Sequence, residues 1–159
     1  MIKKILLGLA AIIGLILVVA FFQSDDLNVT RSATINAAPD AVFKVVNDFR
    51  QWDAWSPWSK IDSKMTKSLE GPPEGVGAVY KWSGNNEVGE GSTRLIESKP
   101  NEKVAMRLEM VRPFKGDSDV QFTFAPEGAG TKVTWAMQSK KPFIGKVMSL
   151  NAFAQVCFH

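Results

Sequence analysis

The chain has 159 residues, 45% hydrophobic and 22% charged, enough for one domain with a real core but not for two once its first two dozen residues are set aside. This composition excludes a disordered or disulfide-stapled protein, and the lone Cys157 forms no internal disulfide. Lys3 and Lys4 account for most of the net charge of +3; without them 17 basic residues face 16 acidic ones. No basic stripe then remains to track a phosphate backbone, so nucleic acid is not an expected partner; Lys140, Lys141 and Lys146 come nearest, as flanks of a solvated loop and helix.

The chain opens MIKKILLGLAAIIGLILVVAFFQS, with Lys3 and Lys4 ahead of 18 uncharged, almost wholly apolar residues from Ile5 to Phe22. As a helix that run measures roughly 27 Å, close to the hydrocarbon thickness of a bilayer. A cleaved signal peptide would have a shorter apolar core and a small-residue cleavage site, of which Val18-x-Ala20 is a poor version, so residues 1–24 are expected to be an uncleaved transmembrane anchor. Basic residues before the span and Asp25, Asp26 after it place the N-terminus in the cytoplasm and residues 25–159 outside. The expected location is a bacterial inner membrane, crossed once, with the domain on the periplasmic side.

LNVTRSATI (27–35) alternates as a half-buried strand, with Arg31 as its misfit. In NAAPDAVFKVVND, Pro39 suits a first helical turn, Asp40 suits the positive helix start, and Val42, Phe43, Val45 and Val46 supply an apolar face. Helix is expected to continue or restart through FRQWDAW and to stop before Pro57. From Met65 the texture becomes strand and turn: VGAVYKW (76–82), STRLIES (92–98), VAMRLEM (104–110), DVQFTFA (119–125) and TKVTWAMQ (131–138), most alternating apolar and polar residues and joined by short polar turns. Five or six strands in this style predict an antiparallel meander. Its apolar face needs a cover, and PFIGKVMSLNAFAQVCFH, with Phe143, Val147, Leu150, Ala154 and Phe158 at helical spacing, predicts a C-terminal helix. The predicted class is α+β, an antiparallel sheet gripping a final helix.

SATINAAPDAVFKVVNDFRQWDAWSPW (32–58), EGPPEGVGAVYKWSGN (70–85), VGEGSTRLIESKPNEKVAMRLEM (88–110) and FTFAPEGAGTKVTWAM (122–137) together resemble the START-like or SRPBCC superfamily, with the helix-grip fold of the birch pollen allergen and of polyketide cyclases, and specifically its membrane-anchored bacterial branch. The resemblance covers about residues 27–150. It implies a cavity between the sheet and the C-terminal helix. Here the chain stops at NAFAQVCFH soon after that helix begins, so a short lid that just spans the sheet is expected. Within the superfamily ligands vary widely, so the motif identifies a scaffold and not a substrate.

Trp52, Trp55 and Trp58 fall where the helix-grip arrangement places a mouth or wall of that cavity. They either seal the short helices to the sheet, line a ligand, or touch the bilayer; indole offers broad apolar area with one donor, which suits all three. Tyr80, Trp82, Met106, Leu108, Phe122, Phe124, Trp135 and Met137 either pack the core or line the cavity. Catalytic chemistry finds little purchase. His159 is the last residue, Cys157 has no histidine partner elsewhere, and no Walker loop, zinc spacing or GxSxG is present, so no catalytic residue, metal or cofactor is expected. Glu87, Glu90 and Glu97 cluster near one strand and belong to a solvated turn and strand flank unless one faces the cavity.

The expected function is a membrane-anchored binding module for a small hydrophobic or amphipathic, lipid-derived ligand. A cyclase or dehydratase using Glu90, Glu97 or Tyr80 is the enzymatic alternative, and an envelope module that binds other proteins through an exposed apolar patch is a third. The oligomeric state is left open.

Overall fold

The computed structural model describes residues 2–22 and 24–140, with only the backbone of some residues in the first helix. The expected C-terminal helix lies outside the described residues. The chain divides into two compact units, one carrying the N-terminal helix and the other formed by Asn28–Ser139.

Helix α1 runs from Ile2 to Phe22, 21 residues with no acidic side chain in its first turn. Among the described residues no helix is long and apolar enough to cross a membrane. Several side chains of α1 fall outside that set, so the expectation of a span rests on the sequence run Ile5–Phe22.

The second unit is built on one seven-stranded sheet in the order β1-β7-β6-β5-β4-β3-β2. Its strands are β1 (Asp26–Ile35), β2 (Thr66–Glu70), β3 (Val79–Ser83), β4 (Glu90–Lys99), β5 (Lys103–Arg112), β6 (Gly116–Glu127) and β7 (Gly130–Lys140). From β2 to β7 each strand pairs antiparallel with the next in sequence, the meander that the alternation predicts. Strand β2, which no alternating apolar run announced, is exposed along its whole length at one edge. Its sequence TKSLE has one apolar residue, and pairing with β3 makes it a strand.

Between β1 and β2 lie α2 (Pro39–Asn47), a 3-10 turn (Phe49–Gln51), α3 (Trp52–Trp55) and α4 (Trp58–Ile61). Pro39 sits in the first turn of α2, where its missing N–H costs nothing, and Asp40 meets the positive helix end. Val42, Phe43 and Val46 are buried on one side of α2, which packs on β5 and β6. Each buried side chain contributes about 2 kcal/mol of apolar transfer. Phe43 meets Phe124 edge to face at 5.9 Å. Pro57 does end α3, but the chain turns helical again directly after it, with Pro57 itself as N-cap of α4. Sequence reasoning treated the proline only as a stop, although proline also starts helices.

Polar ties fix where α2 begins and ends. Thr131, fully buried, donates from its hydroxyl to the Ala37 carbonyl at 2.7 Å. Ser98 donates to the Asn47 side-chain oxygen at 2.7 Å, and the Gly75 N–H reaches the Asn47 carbonyl. Asp48 caps the 3-10 turn, accepting from the Arg50 backbone N–H at 3.0 Å and from the Arg50 guanidinium in a fork of two bonds of 2.7 Å. Those bonds outweigh the raising effect of burial and hold the Asp48 carboxyl below the usual carboxylate range.

Candidate functional site: the inward face of the sheet

Strand register decides which side chains share a face. Tyr80 pairs with Thr93, Thr93 with Leu108, and Leu108 with Ser118. In the neighbouring rows Leu95, Met106, Val120 and Met137 line up, as do Val104, Phe122 and Trp135. All eight strand residues singled out from the sequence, Tyr80, Trp82, Met106, Leu108, Phe122, Phe124, Trp135 and Met137, therefore come together on the face that carries α2. They are not equally covered. Tyr80, Met106 and Phe124 belong to the buried core with Phe43, Val46, Phe49, Leu95 and Val104, whereas Trp82, Leu108, Phe122, Trp135 and Met137 are only partly buried against it. The first three pack the fold; the others offer apolar surface.

The three tryptophans divide in the same way. Trp52 packs edge-on to Phe49 at 4.6 Å, lies 5.9 Å from Tyr80, and donates its indole N–H to the Val46 carbonyl at 3.0 Å. It seals the short helices to the sheet. Trp55, 37% exposed, stands 5.3 Å from Trp52 and meets the partly buried Phe122 edge to face at 6.3 Å. Trp58, 55% exposed, points away from that cluster on α4 and makes none of its ring contacts.

Trp82 explains a glycine. A Cβ at Gly91 would lie 2.7 and 2.9 Å from two carbons of the Trp82 ring and 2.5 Å from the Glu109 carbonyl oxygen. The missing side chain lets the indole lie flat on β4, where Tyr80 stacks beside it at 6.0 Å and the indole N–H points toward the Val88 carbonyl. Next along the strand face is Thr93, 2% exposed, whose hydroxyl has no hydrogen-bond partner among the described residues. Sequence reasoning passed over Thr93; its signal was a hydroxyl residue at an inward position of STRLIES, two residues before Leu95.

Charges sit elsewhere. Glu90 bonds Arg112 at 2.8 Å, and Arg112 reaches the Ser83 hydroxyl on the outward face. Glu97 bridges Lys103 and Lys99, and those ammonium groups hold its carboxyl below the usual range. Glu87 lies in the exposed turn before β4, where its backbone N–H donates to Asn85. The enzymatic alternative named Glu90, Glu97 and Tyr80, and of these Tyr80 faces inward. Burial, aided by the Asp53 charge, pushes the Tyr80 phenol up to about 12, which makes it a neutral donor and a poor base at ordinary pH. Asp53 itself pairs with Lys67 at 2.6 Å and is held low by it. Among the described residues no group of three metal-binding side chains converges.

A groove of about 340 Å³ lies over β2, β3 and β4, lined by Thr66, Ser68, Lys81, Ser83, Glu90 and Ser92 among others. These six alternate with the inward residues and belong to the outward face. Lys81 is tied to Glu70 and Glu90 to Arg112, so the groove presents neutralised charge. Of the partly buried apolar side chains on the inward face, Trp82 alone also lines it.

Solved structures share this architecture at low identity. The chain aligns with the Mll3558 protein of Rhizobium loti at TM-score 0.56 and 20% identity, covering 72% of this chain and 79% of that one. It aligns with the MLL2253 protein of Mesorhizobium loti at 0.56 and 17%, covering 81% and 92%. With the major latex-like protein 151 of Panax ginseng the values are 0.53 and 11%, covering 79% and 95%. A comparison with curated proteins finds no match. The sequence profile described as polyketide cyclase / dehydrase and lipid transport matches residues 26–154. With that match over most of its length and a helix-grip sheet beneath it, the chain belongs to this family of the START-like, SRPBCC superfamily.

Proposed function

We propose that this protein is a membrane-anchored module that holds a small hydrophobic or amphipathic molecule against the inward face of its sheet. One observation carries the reading: Leu108, Phe122, Trp135 and Met137 form an apolar surface that α2 leaves only partly buried, with Trp55 standing over Phe122. Large side chains left in that state hold unused apolar transfer energy, at about 25 cal/mol per Å², which a greasy ligand would recover. The family description, which includes lipid transport, supports the same class of ligand. The run Ile5–Phe22, helical throughout α1, supports an anchor in the inner membrane with the domain on its periplasmic side.

The test is titration of the full chain in detergent with an environment-sensitive apolar fluorophore. Saturable uptake, weakened several-fold by Trp55→Ala and unchanged by Trp58→Ala, is the expected result. Uptake that never saturates, or that both variants leave alone, would overturn the reading.

The exposed Trp58 and Ile61 on α4 favour a second reading, an envelope module that binds another protein. In that case Trp58→Ala would abolish cross-linking to a partner while leaving fluorophore uptake intact.

A further inference from the structure

We infer that Thr93 is the hydrogen-bonding point of the ligand site, and that it takes an uncharged oxygen, the hydroxyl or carbonyl of a neutral amphipathic molecule, in preference to a carboxylate. The inference rests on the proposed binding function and specifies its ligand.

Thr93 is 2% exposed and its Oγ1 is the buried side-chain polar atom that lacks any partner among the described residues. Leaving a buried hydroxyl unpaired destabilises the fold, a cost that a valine of the same shape avoids. The position of this hydroxyl matches a ligand better than a packing role. Tyr80 and Leu108 flank Thr93 on the adjacent strands, and Gly91 precedes it by two residues on its own strand. Because Gly91 has no side chain, the Trp82 ring lies low beside the hydroxyl and Tyr80 stacks against that ring. Thr93 thus forms the polar floor of an aromatic notch bordered by the half-buried Leu108. The Tyr80 phenol forms no hydrogen bond among the described residues either, and burial keeps it protonated.

Charge decides the ligand class. On strands β2 to β7 the inward-facing cation is Lys67, paired in register with Trp82, and it is already bound to Asp53 at 2.6 Å. Arg31 belongs to β1, four strands from β4, or about 19 Å. Among the described strands no unpaired inward cation meets a carboxylate placed at Thr93, which would be buried at a cost several times that of a neutral oxygen. A neutral oxygen needs only the hydroxyl. Thr93 can donate to a carbonyl or exchange hydrogen bonds with an alcohol.

The experiment measures binding of three probes of matched chain length, lauryl alcohol, laurate and dodecane, to the full chain in detergent by native mass spectrometry. Wild type should prefer the alcohol to both others by about tenfold, the value of one good buried hydrogen bond. Thr93→Val should lose that preference, binding the alcohol about tenfold more weakly and dodecane as before, and Thr93→Ser should restore it. Thr93→Val, relieved of the unpaired hydroxyl, should melt above the wild-type temperature and Thr93→Ser at or near it. A wild type that binds laurate tightest, or a Thr93→Val protein that keeps the preference because only a trapped water satisfies the hydroxyl, would overturn the inference while leaving the binding function intact. Failure of wild type to take up any of the three probes saturably would instead overturn the binding function, and this inference with it.

Discussion

The inward face of the sheet carries large apolar side chains along its length, yet two sets of them differ in how they are covered. Val104, Met106 and Phe124 are buried with Val42, Phe43 and Val46 of α2, and Met106 keeps 1% of its surface. Leu108, Phe122, Trp135 and Met137 are equally apolar but only partly buried. The sets interleave: Phe122 pairs with buried Val104 on one side and with Trp135 on the other, and lies between buried Val120 and Phe124 on its own strand. Residue type is the same in both sets, so cover and not composition separates them. Side chains of the first set stabilise the fold, and those of the second are available to something else.

Truncation separates the two sets. Phe43→Ala should be the most damaging change, costing about 3–5 kcal/mol by chemical denaturation, because it opens a cavity opposite Phe124 in a region with no slack. Gly91→Ala should follow at about 2 kcal/mol. Its methyl meets both the Trp82 ring and the Glu109 carbonyl, and a change in near-ultraviolet circular dichroism would report the displaced indole.

Asp48→Asn tests the junction that sets how far α2 reaches, and should cost about 2 kcal/mol at neutral pH. The folded carboxyl lies below its ordinary 3.8, so its stabilising contribution is present above that value and is lost as pH falls through the lowered one. Melting curves of the variant and of wild type should therefore converge on acidification below about pH 4. A gap that persists into acid would show that packing, and not the charge on Asp48, holds the turn.

In the partly buried set the expected stability effects shrink. Trp135→Ala should cost about 1 kcal/mol, well short of Phe43→Ala, while removing most ligand uptake. Trp58→Ala should change stability by less than about 0.5 kcal/mol. Equal losses for Trp135→Ala and Phe43→Ala would erase the distinction between the sets.

Much of this contrast was legible in the sequence, for a physical reason. Alternation with period two assigns Met106, Phe122 and Trp135 to one face whatever the strands pair with, because side-chain direction is local. The amphipathic run after Pro39 likewise named the side chains that α2 buries. What alternation does not carry is cover. Whether Met106 ends as core and Leu108 as surface depends on where α2 stops across the sheet, which is a tertiary fact. Strand β2 was hidden because edge strands have little to bury, and the restart of helix after Pro57 because proline both ends and begins helices. Thr93 was visible as a residue and invisible as a site, since only its register between Tyr80 and Leu108 reveals an unpaired hydroxyl among rings.

The central claim is that the partly buried apolar side chains of the inward face form a ligand site. Native mass spectrometry of the full chain, expressed in cells and released gently from detergent, tests it most directly. The account predicts a defined adduct on the wild-type protein that disappears in Trp135→Ala and persists in Trp58→Ala, with both variants folded. A clean unliganded mass from well-folded wild type, under conditions where other bound lipids survive, would contradict it.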